Sequence, residues 1–256
     1  MNTDIVIVGA GPAGIFTAIE MLRKGSHKHI VIVEKGQPIE KRRCPKAVTN
    51  HCVNCRPYCH ITTGFSGAGA FSDGKLSLSH EVGGDFPTLI GEQNAQDLID
   101  YTDGIYLEFG ADSHIEGIGN TEEVRQIRRR AIRAGLKLVD CPIRHLGTEK
   151  AQKLYLALEN YLRENGVELI FGWECEELIM DGETCMGVSC ARASRRRKFA
   201  PSIPSWQRVA AARTGWKKSA PSMASPISPA RSISACASNA ATRSWKRSTA
   251  CCTRAS

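Results

Sequence analysis

The 256-residue chain contains no apolar run that approaches the roughly 20 residues needed to cross a bilayer. Its first residues, Met1-Asn2-Thr3-Asp4, carry an acid and no basic residue, and the apolar run that follows is short, so the pattern of a secretory leader is missing as well. Both absences point to a cytoplasmic setting. There the eleven cysteines are read as thiols or metal ligands rather than disulfides. A third absence divides the chain: residues 192–256 hold fourteen of the 34 Lys and Arg and none of the 26 Asp and Glu, which leaves residues 1–191 at a net charge of −6. The overall charge of +8 is therefore no sign of a basic fold, and a specific nucleic-acid partner is not expected. The acid-free segment, rich in Ala, Ser and Arg and without helical or strand periodicity, is read as a basic, disordered tail.

What is present begins at Asp4. The apolar Ile5-Val6-Ile7-Val8 reads as a strand, Gly9-Ala10-Gly11-Pro12-Ala13-Gly14 fits G-x-G-x-x-G, and Ile15, Ala18, Ile19 and Leu22 follow at helical spacing. Gly9 suits the tight turn, Gly11 lets a pyrophosphate approach the backbone at the helix N-terminus, and Gly14 lets helix and strand pack closely. Pro12 suits the first helical turn, where its missing N–H has no intrahelical acceptor. Ile30 to Val33 is a second strand. It ends in Glu34, at the distance where a ribose-binding carboxylate belongs. Strand, glycines, helix and acid together predict a dinucleotide site, and a carboxylate there disfavours a 2′-phosphate, hence NADP.

Further along, Lys35 to His60 is broken by Pro38, Pro45 and Pro57 and reads as a long functional loop. It carries Cys44, Cys52, Cys55 and Cys59 beside His51 and His60, a candidate set for zinc or an iron–sulfur cluster whose spacing matches neither a standard zinc ribbon nor a ferredoxin run. Arg42, Arg43 and Arg56 could instead lower a thiol pKa, or the thiols could be ordinary. Gly64 to Leu76 is rich in small residues that let backbone approach a ligand. Helices are predicted over about Glu92–Phe109, Thr121–Ala134 and Glu149–Asn165. Short strands are predicted at Leu136–Val139 and Val167–Phe171, and a hairpin at 174–180 and 184–190. Arg144-His145, placed on a loop, is a candidate anion clamp and proton-transfer pair or a structurally bonded one.

At Gly9–Gly14, Glu34-Lys35, Gly64–Leu76 and Pro142–Thr148, the sequence resembles the uncharacterised FAD-dependent dehydrogenases of bacteria, within the glutathione-reductase-like flavoproteins. The resemblance covers residues 3–191. It implies an α/β fold: a Rossmann-like FAD/NAD(P)-binding parallel sheet over 1–191 with an inserted mixed segment at about 80–165. It implies FAD as cofactor, NAD(P)H as a possible electron donor, and hydride or electron transfer to a small-molecule substrate or acceptor. By resemblance, Gly9, Ala10, Gly11, Pro12, Ala13 and Gly14 would cradle the pyrophosphate and Glu34, with Lys35, the ribose. Gly67, Gly69, Ser72, Asp73 and Lys75 would lie toward the flavin, and backbone at Cys175 would meet the adenine. The family continues after Cys190 into a segment that closes the flavin pocket. Here Arg213–Ser219 and Ala240–Thr249 are what such family-like runs give when read one base out of register, so the fold is expected to be incomplete at the C-terminus and the tail out of frame.

Overall fold

Neither Ile5–Val8 nor Ile30–Glu34 alternates apolar with polar residues, so both faces of each strand have to be covered. The computed structural model of the protein describes residues 2–72, 74–182, 184–201 and 210–211. They divide into two compact units, one made of 2–71 with 155–201 and 210–211, the other of 72–154. The first unit opens with β1 (Asn2–Thr3), β2 (Ile5–Val8), α1 (Pro12–Arg23), β3 (Ile30–Glu34) and the single turn α2 (Lys46–Thr49). Next come β4 (Lys75–Ser77), α3 (Phe86–Ile90), α4 (Glu92–Glu108), α5 (Glu122–Arg133) and β5 (Ile143–His145). After α6 (Thr148–Glu164) the chain runs through β6 (Glu168–Phe171), β7 (Glu174–Asp181), β8 (Thr184–Arg192), β9 (Arg195–Pro201) and β10 (Ala210–Ala211).

In the first unit β10, β2, β3 and β6 form a parallel sheet in that order, which makes the class α/β. Ile5 stands opposite Ile30 and Val8 opposite Val33. Side chains alternate across the sheet, so Ile7 and Ile32 share one face while Val6, Val8, Val31 and Val33 share the other. On the Ile7 face lies α1, which buries Gly14, Ile15, Ala18 and Ile19. The other face meets the antiparallel meander β7-β8-β9, whose Cys175, Val188, Cys190 and Phe199 close a buried cluster with the four valines. Burying such a side chain is worth about 1.5–3 kcal/mol, so this cluster fixes the meander on the sheet more firmly than the propensity of any single strand.

The second unit pairs β4 with β5 in antiparallel fashion, Leu76 opposite Arg144, and buries Ala95, Ile105 and Tyr106 of α4. Its bounds, 72–154, lie earlier than the 80–165 expected for the insertion. The predicted helices and the 174–180/184–190 hairpin are present within a few residues. Leu136–Val139, however, forms no strand: Leu136 is 65% exposed and the segment pairs with nothing regular, the strand lying instead at Ile143–His145. The tail boundary at 191 also needs correction. Residues 195–201 are a strand paired with both β8 and β1, with Phe199 fully buried. The rest of the tail, apart from Ala210 and Ala211, lies outside the described residues. Among the described residues no helix is long and apolar enough to cross a membrane.

Candidate functional site

The turn from β2 into α1 is built as its glycines suggest. Gly9 has φ +99°, a left-handed value that a side chain rarely adopts. At Gly14 a Cβ would stand 2.1 Å from the carbonyl oxygen of Gly9, so helix and strand touch through bare backbone. Gly11 is the opposite case: a Cβ there would meet nothing within 4 Å, and the space in front of the turn is open. Pro12 takes the first helical position, and no side chain caps the helix. Its N-terminal N–H groups and dipole therefore face the space in front of Gly11, an arrangement that favours an anion.

Glu34 ends β3 beside this turn, and it is buried. One carboxylate oxygen accepts from Ala10 N at 2.9 Å, and the other from Gly36 N at 2.8 Å. Two backbone donors and a buried setting fix the carboxylate in one orientation, while each oxygen retains a second acceptor direction. The segment after β6 runs alongside, Trp173 N donating to Glu34 O at 3.1 Å and Gly172 N to Gly36 O at 3.0 Å. Lys35 lies 3.6 Å from Glu174 and 4.3 Å above the ring of Tyr58, whose hydroxyl donates to Glu174. Tyr58 thus ties the cysteine loop to the end of β3. Cys175, next along, points into the buried cluster opposite Cys190, and the hydrogen bond with the Cys175 side chain, together with burial, pushes the Cys190 thiol up.

Two residues absent from the sequence-based site matter here. Ser66 donates its backbone N–H to Ala10 O at 2.6 Å from a left-handed conformation, φ +66°, and its buried Oγ has no partner among the described residues. A strained, orphaned hydroxyl beside the turn is the kind of polar atom that a ligand satisfies. Arg42 is the brace behind it: Nε donates to His60 O at 3.0 Å, Nη2 to Ile61 O at 2.7 Å and Nη1 to Phe65 O at 2.5 Å. Burial lowers its pKa to about 10, opposed by Glu34 and Cys59, so it remains charged at neutral pH. The small-residue run around Ser66 carried a sequence signal, whereas Arg42 was marked only as a group that could lower a thiol pKa, which it does for Cys59, and not as a brace.

The remaining expected residues are distributed unevenly. Gly67 follows Ser66 with φ +62°, and a Cβ on Gly69 would stand 3.1 Å from the Tyr155 hydroxyl. Ser72 and Lys75 belong to the second unit, and Asp73 lies outside the described residues. The four thiols of the loop are not gathered: Cys52 and Cys59 are exposed, and among the described residues no three His, Cys, Asp or Glu converge as a metal-ligand set. Cys59 accepts from Thr62 and from the Ile61 and Thr62 N–H groups, which together with Arg42 lower its pKa. Arg144 is not on a loop and offers no free clamp. From β5 it makes a bidentate contact with Asp103 at 2.6 Å on both arms and donates to Asp112 O, entirely buried. His145 is exposed, 3.8 Å from Glu116.

No family model matches the chain. A 74-residue stretch, 28% of the chain, is 43% identical to an uncharacterized protein of Clostridium beijerinckii, of which it covers 13%. Among solved structures, the 3-ketosteroid-delta4-(5alpha)-dehydrogenase of Rhodococcus jostii RHA1 aligns over 78% of this chain and 44% of its own, at 14% identity and a TM-score of 0.47. The L-amino acid deaminase of Proteus vulgaris aligns over 82% and 47%, at 17% identity and a TM-score of 0.44. The chain spans less than half the length of either. Its α/β class rests on its own strand order.

Proposed function

We propose that the first unit binds FAD by its adenosine diphosphate half and that the chain is the flavin-binding part of an oxidoreductase. The observation that carries this reading is the bond between Ala10 N and the Glu34 carboxylate, which joins an open, uncapped helix N-terminus to a fixed ribose acceptor. The N–H groups at the start of α1 would hold the pyrophosphate, with Gly11 leaving room for it. Glu34 would accept from the ribose hydroxyls and, by its charge, exclude a 2′-phosphate. Ser66 Oγ, braced through Arg42, would supply one more polar contact, and the backbone near Cys175 is assigned to the adenine. When bound, the flavin supplies hydride or electron transfer, with NAD(P)H as candidate donor and a small molecule as acceptor.

We also propose that the reading frame slips downstream of Pro201, a position supported by the buried Phe199 on β9. An intact frame across the coding DNA for residues 202–256 would overturn this part. The chain as it stands then offers the adenosine half alone, so ADP and FAD should bind it with similar, weak affinity and compete. A frame-restored chain should copurify yellow. Equal flavin content in the two chains would show that residues 202–256 are not the cause of weak binding, and failure of ADP to compete with FAD in either chain would overturn the dinucleotide reading itself.

A further inference from the structure

The second unit contains a cavity of about 730 Å³ that the dinucleotide reading does not use. One wall is a single face of α5, where Arg125, Arg128, Arg129 and Ile132 recur at i, i+3, i+4 and i+7. Facing it are the Gly117–Asn120 segment, Asp140 and Pro142. Three guanidiniums thus line one cavity, and guanidiniums keep their charge at any physiological pH.

Their partners leave the charge incompletely answered. Arg125 is held by Glu122, from Nε at 3.0 Å and Nη2 at 2.9 Å, and Arg129 approaches the same carboxylate only at 3.6 Å. Arg128 Nη2 meets Asp140 at 2.8 Å, while its Nε is buried and has no partner among the described residues. Among the described residues two carboxylates therefore answer three cations. Beside this charge the wall is apolar: Ile118 and Ile132 are 65% and 66% exposed.

We propose that this cavity binds a small organic oxyanion, a carboxylate or a phosphate monoester, with its charged head on Arg125, Arg128 and Arg129 and its apolar body against Ile118 and Ile132. Arg129 supplies charge held only loosely. The proposal stands independently of flavin binding.

Calorimetric titration of the full chain with phenyl phosphate, benzoate and neutral benzyl alcohol at one ionic strength tests it. One or both anions should bind with unit stoichiometry and the alcohol should not. Tighter phenyl phosphate identifies a phosphate ligand, and tighter benzoate a carboxylate. Arg128→Lys keeps the charge but removes the planar fork, and should weaken binding about tenfold or more; Arg129→Gln should do likewise if the first variant fails to fold. Arg130→Gln combined with Arg133→Gln, on the same helix but outside the cavity, should change affinity by less than about twofold, because neither side chain lines the cavity and both are exposed to solvent. The proposal is overturned if neither anion binds, if the alcohol binds equally well, or if the double variant loses as much affinity as Arg128→Lys.

Discussion

A carboxylate that holds two backbone N–H groups is sensitive to an isosteric change. In Glu34→Gln one side-chain oxygen becomes an NH2, which must then face the N–H of Ala10 or of Gly36, leaving one buried donor unpaired. The expected cost is about 1–3 kcal/mol, read as a lower urea midpoint, together with weaker ADP binding. Unchanged stability would mean that the two bonds contribute little. Cys59 offers a second test at this scale. Its thiolate forms at lower pH than an ordinary thiol, chiefly because Thr62 donates to it. Thr62→Val removes that donor, so the titration followed by thiolate ultraviolet absorbance should move to higher pH, and an unmoved curve would refute the assignment.

At the scale of elements, the β2–α1 turn makes two glycine positions three residues apart behave differently. Gly14→Ala drives a Cβ into backbone 2.1 Å away and should cost about 1–3 kcal/mol in urea unfolding. Gly11→Ala meets open space and should cost within about 1 kcal/mol while weakening ADP binding, since the methyl occupies the approach to the helix N-terminus. The reverse pattern would contradict the close packing at Gly14. This turn was legible in the sequence because strand, glycines and helix are contiguous, and Glu34 was legible by its distance from them. The bracing role of Arg42 was not, because it lies in carbonyls eighteen to twenty-three residues away, and no local period announces that. β9 was missed for a related reason: Arg195, Arg196, Arg197 and Lys198 mask the one inward side chain, Phe199. Leu136–Val139 erred the other way, since an apolar run without a partner strand does not become one. Phe199→Ala should cost about 3–5 kcal/mol, as expected for a fully buried aromatic. A change under about 1 kcal/mol would deny that β9 belongs to the core.

For the whole molecule, the charge divides along the chain while the core divides by unit, and the acid-free segment contributes to that core at least as far as Phe199. The cross-strand thiols Cys175 and Cys190 lie in the same cluster, walled off by β9 on one side and the parallel sheet on the other. That makes Cys190 a built-in clock for opening of the native state. A water-soluble disulfide reagent can reach it only when the meander leaves the sheet, whereas exposed Cys52 and Cys59 are accessible at all times. Labelling followed by mass spectrometry should therefore show a prompt phase at the loop and a slow one at Cys190 that quickens with urea as openings become frequent. If Cys190 were labelled as fast as Cys52, the meander would have to be parting from the sheet continually under native conditions.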